Sequence, residues 1–176
     1  MPSYLNETLI SLIPKCQNPE TLNNYKSISL CNSVYKIVKK ILGAQIRPQL
    51  SSLISPVQTA FVPGRRGRDN VLITQELFHA LDKKKGKMGF MAVKLDLEKA
   101  YDRLEWSFIH RVLQAFHFPP KISKIIMSYV MSSSSSILIN GGALERFEPS
   151  RGIWQGDPLF PYLFILCMEY LGYLIE

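Results

Sequence analysis

The chain is 176 residues long, 47% hydrophobic and 20% charged, with a formal net charge of +7. The length fits one domain or part of a larger one, the apolar content supplies a core and excludes a disordered chain, and the charge favours a polyanionic partner. The three cysteines, Cys16, Cys31 and Cys167, are odd in number and widely spaced, which excludes a disulfide framework and a zinc pattern and makes a reducing compartment the default.

In chain order, Thr8 to Pro14 is a short apolar run that reads as a strand. Gln17 to Asn24 is turn-rich, and Ile28 to Leu30 reads as the returning strand, so that Lys15 and Lys26 lie near the tip of a hairpin. Val34, Ile37, Val38 and Ile41 recur at helical spacing with Lys36, Lys39 and Lys40 opposite or flanking them, which predicts an amphipathic helix with a wet lysine face ending near Pro48. Phe61 to Asn70 is a loop in which Arg65, Arg66 and Arg68 stand among Pro63, Gly64 and Gly67; guanidiniums among glycines can approach phosphates closely. Asp69 or Asn70 is expected to cap a helix with Ile73, Leu77 and Leu81 as its buried stripe, and the lysine run from Lys83 to Lys87 with Gly86 ends it.

Met91, Val93 and Leu95 alternate with Ala92, Lys94 and Asp96, the period of a buried strand. Such a strand delivers Asp96 to its C-terminal end, where chemistry tends to sit in α/β proteins. A carboxylate there suits a divalent ion such as Mg²⁺, and equally the cap of the next helix. A helix from about Leu104 to Phe116 follows, broken by Phe118-Pro119-Pro120, and then a second with Ile122, Ile125, Ile126, Tyr129 and Val130 on its apolar side. His110 and His117 have no Cys or His partner at ligand spacing and read as ordinary helix histidines. After the serines 132–136, Ile137-Leu138-Ile139 and the turn pair Asn140-Gly141 predict strand, turn and strand into Phe147. Gly152 to Pro158 is a glycine-punctuated loop whose Asp157 and Pro158 suit the start of a helix; that helix is apolar almost all round and is expected to be buried. Glu169 interrupts the apolar run from Leu159 too early for a membrane span, and no signal peptide is read at the N-terminus. The mixture of strands and helices is of the α/β (α+β) class.

Four stretches carry a family resemblance: Leu12-Ile13-Pro14-Lys15 with Asn24 to Leu30; Gln58 to Arg65 with Asp69-Asn70; the Asp96 stretch; and Arg151-Gly152-Ile153-Trp154-Gln155-Gly156-Asp157-Pro158-Leu159. In this order the chain resembles the reverse transcriptases of LINE-type, non-LTR retrotransposons, with a plant-like flavour, over nearly its whole length. The resemblance implies a partial right-hand polymerase: fingers in about 1–90 and an incomplete palm in about 91–176, with fingers-type elements between about 104 and 148 and no thumb. It implies an RNA template, a DNA primer and a dNTP as partners, no membrane, and an intracellular location, the nucleus among the options. By matching position, Asp96 is a catalytic carboxylate and metal ligand and the Leu97 carbonyl a further ligand. Lys15, Lys26, Arg65, Tyr101, Gln155 and Gly156 are nucleotide-binding, Tyr101 as the ring under the incoming sugar. The complete family enzyme uses two Mg²⁺ ions.

Several departures accompany the match. Lys26 stands where the family usually has Arg, Ser27 where it has Pro, and Trp154 where it has a basic residue. Phe160 takes the place of a small residue and is expected to overpack its turn. The family's other carboxylates come from an Asp-Asp hairpin further down the chain, and this sequence contains no Asp-Asp pair. The expectation is a fragment of an RNA-directed DNA polymerase that is inactive alone. The other readings are a non-catalytic nucleic-acid-binding remnant or, against the ordered motifs, an unrelated basic domain in which Asp96 is only a cap.

Overall fold

The alternating apolar runs at the start of the chain pair as expected. In a computed structural model that describes residues 7–84, 91–132, 134–154 and 156–175, β1 (Glu7–Pro14) and β2 (Tyr25–Cys31) form an antiparallel hairpin. Ile13 faces Lys26 and Pro14 faces Tyr25, and the Lys15 N–H donates to the Asn24 carbonyl at 2.7 Å, closing the tip. The sheet is completed by β3 (Ser134–Ile139), parallel to β1, and a short β4 (Gly142–Ala143), in the order β2-β1-β3-β4. Asn140 and Gly141 between the last two have φ of +50° and +82°, the left-handed pair that a tight hairpin turn needs. Phe147 then pairs with Ser135. Strand β3 begins in the serine run: Ser134, Ser135 and Ser136 are buried, small side chains where the parallel strand meets β1.

Between β2 and β3 lie the helices. Helix α1 (Ser33–Ile46) is capped by the Asn32 side chain, which accepts from the Val34 N–H. It runs through a 3₁₀ turn (Arg47–Gln49) into α2 (Leu50–Leu53), and α3 (Gly67–Lys83) follows the arginine loop. Then come α4 (Ala100–Arg103), α5 (Trp106–Ala115), α6 (Pro120–Met131) and, after the sheet is complete, α7 (Phe160–Ile175). The core lies where α5, α6 and α7 meet α1. Ile109, Val112 and Leu113 are inward as their spacing predicts, and they meet Ile126 and Val130 and the buried run Ile165-Leu166-Cys167. Ile125, expected inward, is largely exposed.

Three predicted faces are different in the structure. Residues 91–97 belong to no strand or helix, and Met91, Val93 and Leu95 are exposed. Alternation buries one side of a strand only where neighbours take up its backbone groups, and among the described residues nothing pairs with this segment. Helix α3 starts at Gly67 and has no buried residue; Ile73 and Leu77 are exposed and Leu81 is half-exposed. No described element buries its apolar stripe. Helix α1 is turned about its axis relative to expectation: Val34, Ile37 and Ile41 are outside, and Tyr35, Lys39, Leu42, Gly43 and Ile46 are inside. Two apolar stripes compete on that helix, and the one beginning at Tyr35 wins because it carries the ring that packs on Tyr129 of α6 and the glycine that fits against Tyr162 of α7.

Candidate active site

Asp96 and Leu97 line a cleft of about 330 Å³ together with Glu98, Arg103 and, from α7, Met168. Asp96 is exposed. The Glu98 carboxylate accepts from Arg103 at 3.0 Å, an exposed pair. Lys99, with φ of +51°, turns the chain into α4.

The segment after Asp96 is joined to the glycine loop before α7 by a set of hydrogen bonds. The Gly152 N–H donates to the Leu104 carbonyl at 2.8 Å and the Ile153 N–H to the Tyr101 carbonyl at 2.9 Å. The Trp106 indole N–H donates to the Gly152 carbonyl at 2.8 Å. Gly152 is required here twice over: its φ is +86°, and a Cβ would lie 2.9 Å from the Asp102 carbonyl oxygen. Tyr101 is half-buried with its ring stacked on Phe164 of α7, centroids 4.3 Å apart, and this burial pushes its phenol pKa up. So α7 lines the Asp96 cleft with Met168 and, one turn earlier, holds the Tyr101 ring with Phe164.

The start of α7 is fixed by Asp157. One carboxylate oxygen accepts from the Leu159 N–H at 3.0 Å, the capping role expected from sequence; the other pairs with the Lys39 ammonium of α1. Lys39 is 0% exposed and Asp157 3%. The ammonium also lies 3.9 Å from the Tyr35 ring centroid and 4.4 Å from that of Phe160. Burial lowers the Lys39 pKa and raises that of Asp157, and the attraction between the two opposes both shifts. Phe160 is therefore a fully buried wall of this cation site. The sequence reading put Lys39 on a wet face. The signal that could have corrected it is the stripe Tyr35, Leu42, Gly43 and Ile46, which leaves Lys39 in its middle.

The other expected site residues lie apart from this cleft. Lys15 and Lys26 are exposed at the hairpin tip, and Lys15 donates to the Asn23 carbonyl at 3.1 Å. Arg65 spends both terminal nitrogens on backbone carbonyls: those of Gln58 at 2.6 Å, Ile54 at 3.0 Å, Ser51 at 3.4 Å, and Ser55. It holds the turn 51–58 together, a structural duty the motif did not announce. Glu169 supports the same turn from α7, accepting from the Ser55 N–H at 2.9 Å. Gly156 has φ of +96°; Gln155 lies outside the described residues. None of these lines the Asp96 cleft.

Residues 13–176 match the reverse transcriptase (RNA-dependent DNA polymerase) family. The chain belongs to the reverse transcriptase family. It is similar to the transposon TX1 149 kDa protein of Xenopus laevis, 30% identical over 96% of this chain and 13% of that protein. It is likewise similar to the Pol polyprotein of the type-2 retrotransposable element R2DM of Drosophila melanogaster, 28% identical over 97% of this chain and 16% of that protein. A shorter match, 60% identical over 35 residues, 20% of this chain and 29% of that protein, is to the mitochondrial protein AtMg01250 of Arabidopsis thaliana. The chain is thus a reverse transcriptase domain segment of the non-LTR retrotransposon kind, with the mixed palm-and-fingers fold of that family, and it spans about a sixth or less of the first two relatives. The family acts on nucleic acid and nucleotides and depends on divalent metal. Among the described residues no helix is long and apolar enough to cross a membrane.

Proposed function

We propose that this chain is the nucleotide-proximal part of an RNA-directed DNA polymerase, holding one of the catalytic carboxylates, Asp96, and acting on an RNA template, a DNA primer and a dNTP. The reaction is attack of a primer 3′-hydroxyl on the α-phosphate of the dNTP, with pyrophosphate leaving. The observation that carries the reading is the set of hydrogen bonds from Gly152, Ile153 and Trp106, which ties two of the four family stretches together beside the Asp96 cleft.

The residues present fit a shared metal ion rather than a caged one. Among the described residues no three His, Cys, Asp or Glu side chains cluster as a ligand set. Asp96 and the Leu97 carbonyl are hard oxygen donors at an open cleft, the kind of partial set that binds Mg²⁺ together with substrate phosphates. When bound, the ion supplies charge neutralisation on the triphosphate and activation of the attacking hydroxyl.

In this reading the chain's own residues bind and orient. Lys15 and Lys26 at the hairpin tip offer their charges to the triphosphate, and Arg65 contributes by fixing the shape of its loop. Tyr101, held in plane by Phe164, sits under the incoming sugar and rejects a 2′-hydroxyl by bulk. Gly156, with Gln155 before it, lies along template and nucleotide. Residues 1–90 serve as fingers and 91–176 as part of the palm, in an intracellular setting.

Primer extension tests this. The 176-residue chain, which contains no Asp-Asp pair, is expected to give no extension on an RNA template with Mg²⁺ or Mn²⁺, and extension once the remaining family carboxylates are supplied in a longer chain. Template-dependent extension by the 176-residue chain that disappears in Asp96→Asn would overturn the incomplete-site reading. In the longer chain, Tyr101→Ala is expected to raise ATP use relative to dATP while dATP incorporation survives; loss of both together would make Tyr101 a packing residue only.

A further inference from the structure

A second cleft, of about 620 Å³, lies along the seam between α1 and the start of α7 and is lined by Lys40, Arg47, Pro63, Pro158 and Tyr162 among others. Its place in the fold separates it from the Asp96 cleft. On α7, Tyr162 precedes Phe164 by two residues and Met168 by six, which puts it about 160° and about 120° round the helix from them at 3.6 residues per turn. Phe164 and Met168 face Tyr101 and Asp96; Tyr162 faces away.

The seam is built to hold this shape. Gly43 leaves room for the Tyr162 ring: a Cβ there would come within 2.9 Å of its Cε2 atom and 3.2 Å of the Pro158 carbonyl oxygen. Four residues earlier on the same face of α1, Lys39 is bound to Asp157. Pro158 and Tyr162 are thereby pinned to α1 from both sides.

The lip is cationic and uncompensated. Lys40 and Arg47 are exposed, seven residues apart and therefore on one side of the helix, roughly 10 Å along its axis. Neither makes an ion pair among the described residues, and no described carboxylate lines the cleft. Two cations spaced along a groove with a tyrosine and proline faces between them match a phosphodiester backbone with unpaired bases: the charges take phosphates and the ring and prolines take base faces. A double helix hides its bases and would use only the charges.

We infer that the Lys40–Arg47–Tyr162 cleft binds single-stranded nucleic acid at a place distinct from the Asp96 site. This rests on the reading of the chain as a nucleic-acid enzyme, and it adds a second hold on a strand, on the opposite side of α7 from the chemistry.

The test is fluorescence anisotropy of labelled single-stranded 12-nucleotide RNA and DNA with the 176-residue chain at several salt concentrations. Comparison is made with Lys40→Gln/Arg47→Gln and with Tyr162→Leu, each checked for fold by circular dichroism. The double variant is expected to lower the slope of log K against log salt by about 1.4, two contacts at about 0.7 each. Tyr162→Leu is expected to weaken binding roughly fivefold or more at unchanged slope. The RNA and DNA arms decide which strand is preferred. Binding that persists with the wild-type slope in the double variant overturns the cleft and leaves the broader reading standing; no binding by the wild type overturns both. A strand carrying 4-thiouridine gives a check that needs no variant: crosslinks are expected on the peptides containing Arg47 or Tyr162, and crosslinks confined to 25–31 or 91–103 would overturn the assignment.

Discussion

Asp96 and Asp157 both stand shortly before a helix, and both belong to stretches that match the family, yet the structure treats them in opposite ways. Asp157 is buried, caps α7, and is paired with a lysine that two aromatic rings enclose. Asp96 is exposed, in an irregular segment that pairs with no strand among the described residues. The difference teaches what each carboxylate is free to do. An aspartate whose two oxygens are committed to Lys39 and to the Leu159 N–H is part of the frame; an aspartate that faces solvent in a cleft keeps its oxygens for a ligand. The frame around Asp157 then reaches the other aspartate's cleft through α7, whose Met168 lines it.

Breaking the frame is expected to have the largest effect. Lys39→Met leaves Asp157 buried without its cation, at a cost of about 3–5 kcal/mol. The sign of its pH dependence is fixed. Asp157 already has a folded-state pKa above the ordinary 3.8, and losing Lys39 raises it further. A raised acid is tolerated below its unfolded pKa and penalised as pH rises through the folded one, so the deficit against wild type is expected to shrink as pH falls from 7 toward 4 in parallel urea titrations. A deficit independent of pH would show that Asp157 is not the group left exposed to the cost. Lys39→Met/Asp157→Leu removes both charges and is expected to recover much of the loss. Phe160→Ser removes a fully buried ring from the same cage, and a loss of about 3–5 kcal/mol, typical of Phe truncation, is expected in thermal melts. If the small residue instead raises the midpoint, the ring is overpacked as the family pattern first suggested.

A smaller effect is expected where the frame meets the Asp96 segment. Gly152→Ala places a methyl against the Asp102 backbone at a positive φ; overpacking alone is worth about 1–3 kcal/mol. Its melt is expected to drop while α1 and the hairpin keep their hydrogen-exchange protection. At Asp96 itself, Asp96→Asn is expected to change stability by no more than about 0.5 kcal/mol, the usual range for a surface site. The thiols give the mildest contrast. Cys167 is fully buried in α7 and burial pushes its pKa up to about 12, whereas Cys16 is exposed. A thiolate reagent at pH 8 is expected to label Cys16 at once and Cys167 only on unfolding.

What the sequence made legible follows the same division. The hairpin and the inward face of α5 were readable because a single period dominates each of them, the Asn140-Gly141 turn from its residue pair, and the burial of α7 from its being apolar almost all round. Asp157 as a cap was readable from its place before Pro158. Its partner was not: Lys39 sits between two competing apolar stripes, and the choice between them is made by Gly43 and Tyr162, far apart in the sequence and adjacent only in the fold. The alternation of 91–95 is real, but alternation reports what a strand could bury and not whether a neighbour is there to bury it. Arg65 was read as a phosphate contact because its motif surrounds it with glycines, and nothing local shows that four carbonyls of 51–58 converge on it. The ordered motifs, by contrast, survive intact, since family membership depends on residue order along the chain and not on which face each residue takes.

The most direct test of the account is Mn²⁺-dependent binding of a dNTP to the 176-residue chain, read by paramagnetic broadening of the nucleotide phosphorus signals, for wild type and Asp96→Asn. The account predicts broadening that depends on protein in the wild type and is lost in Asp96→Asn while the melting temperature stays unchanged. Equal broadening in the two proteins would contradict it, because the exposed aspartate would then hold neither metal nor nucleotide.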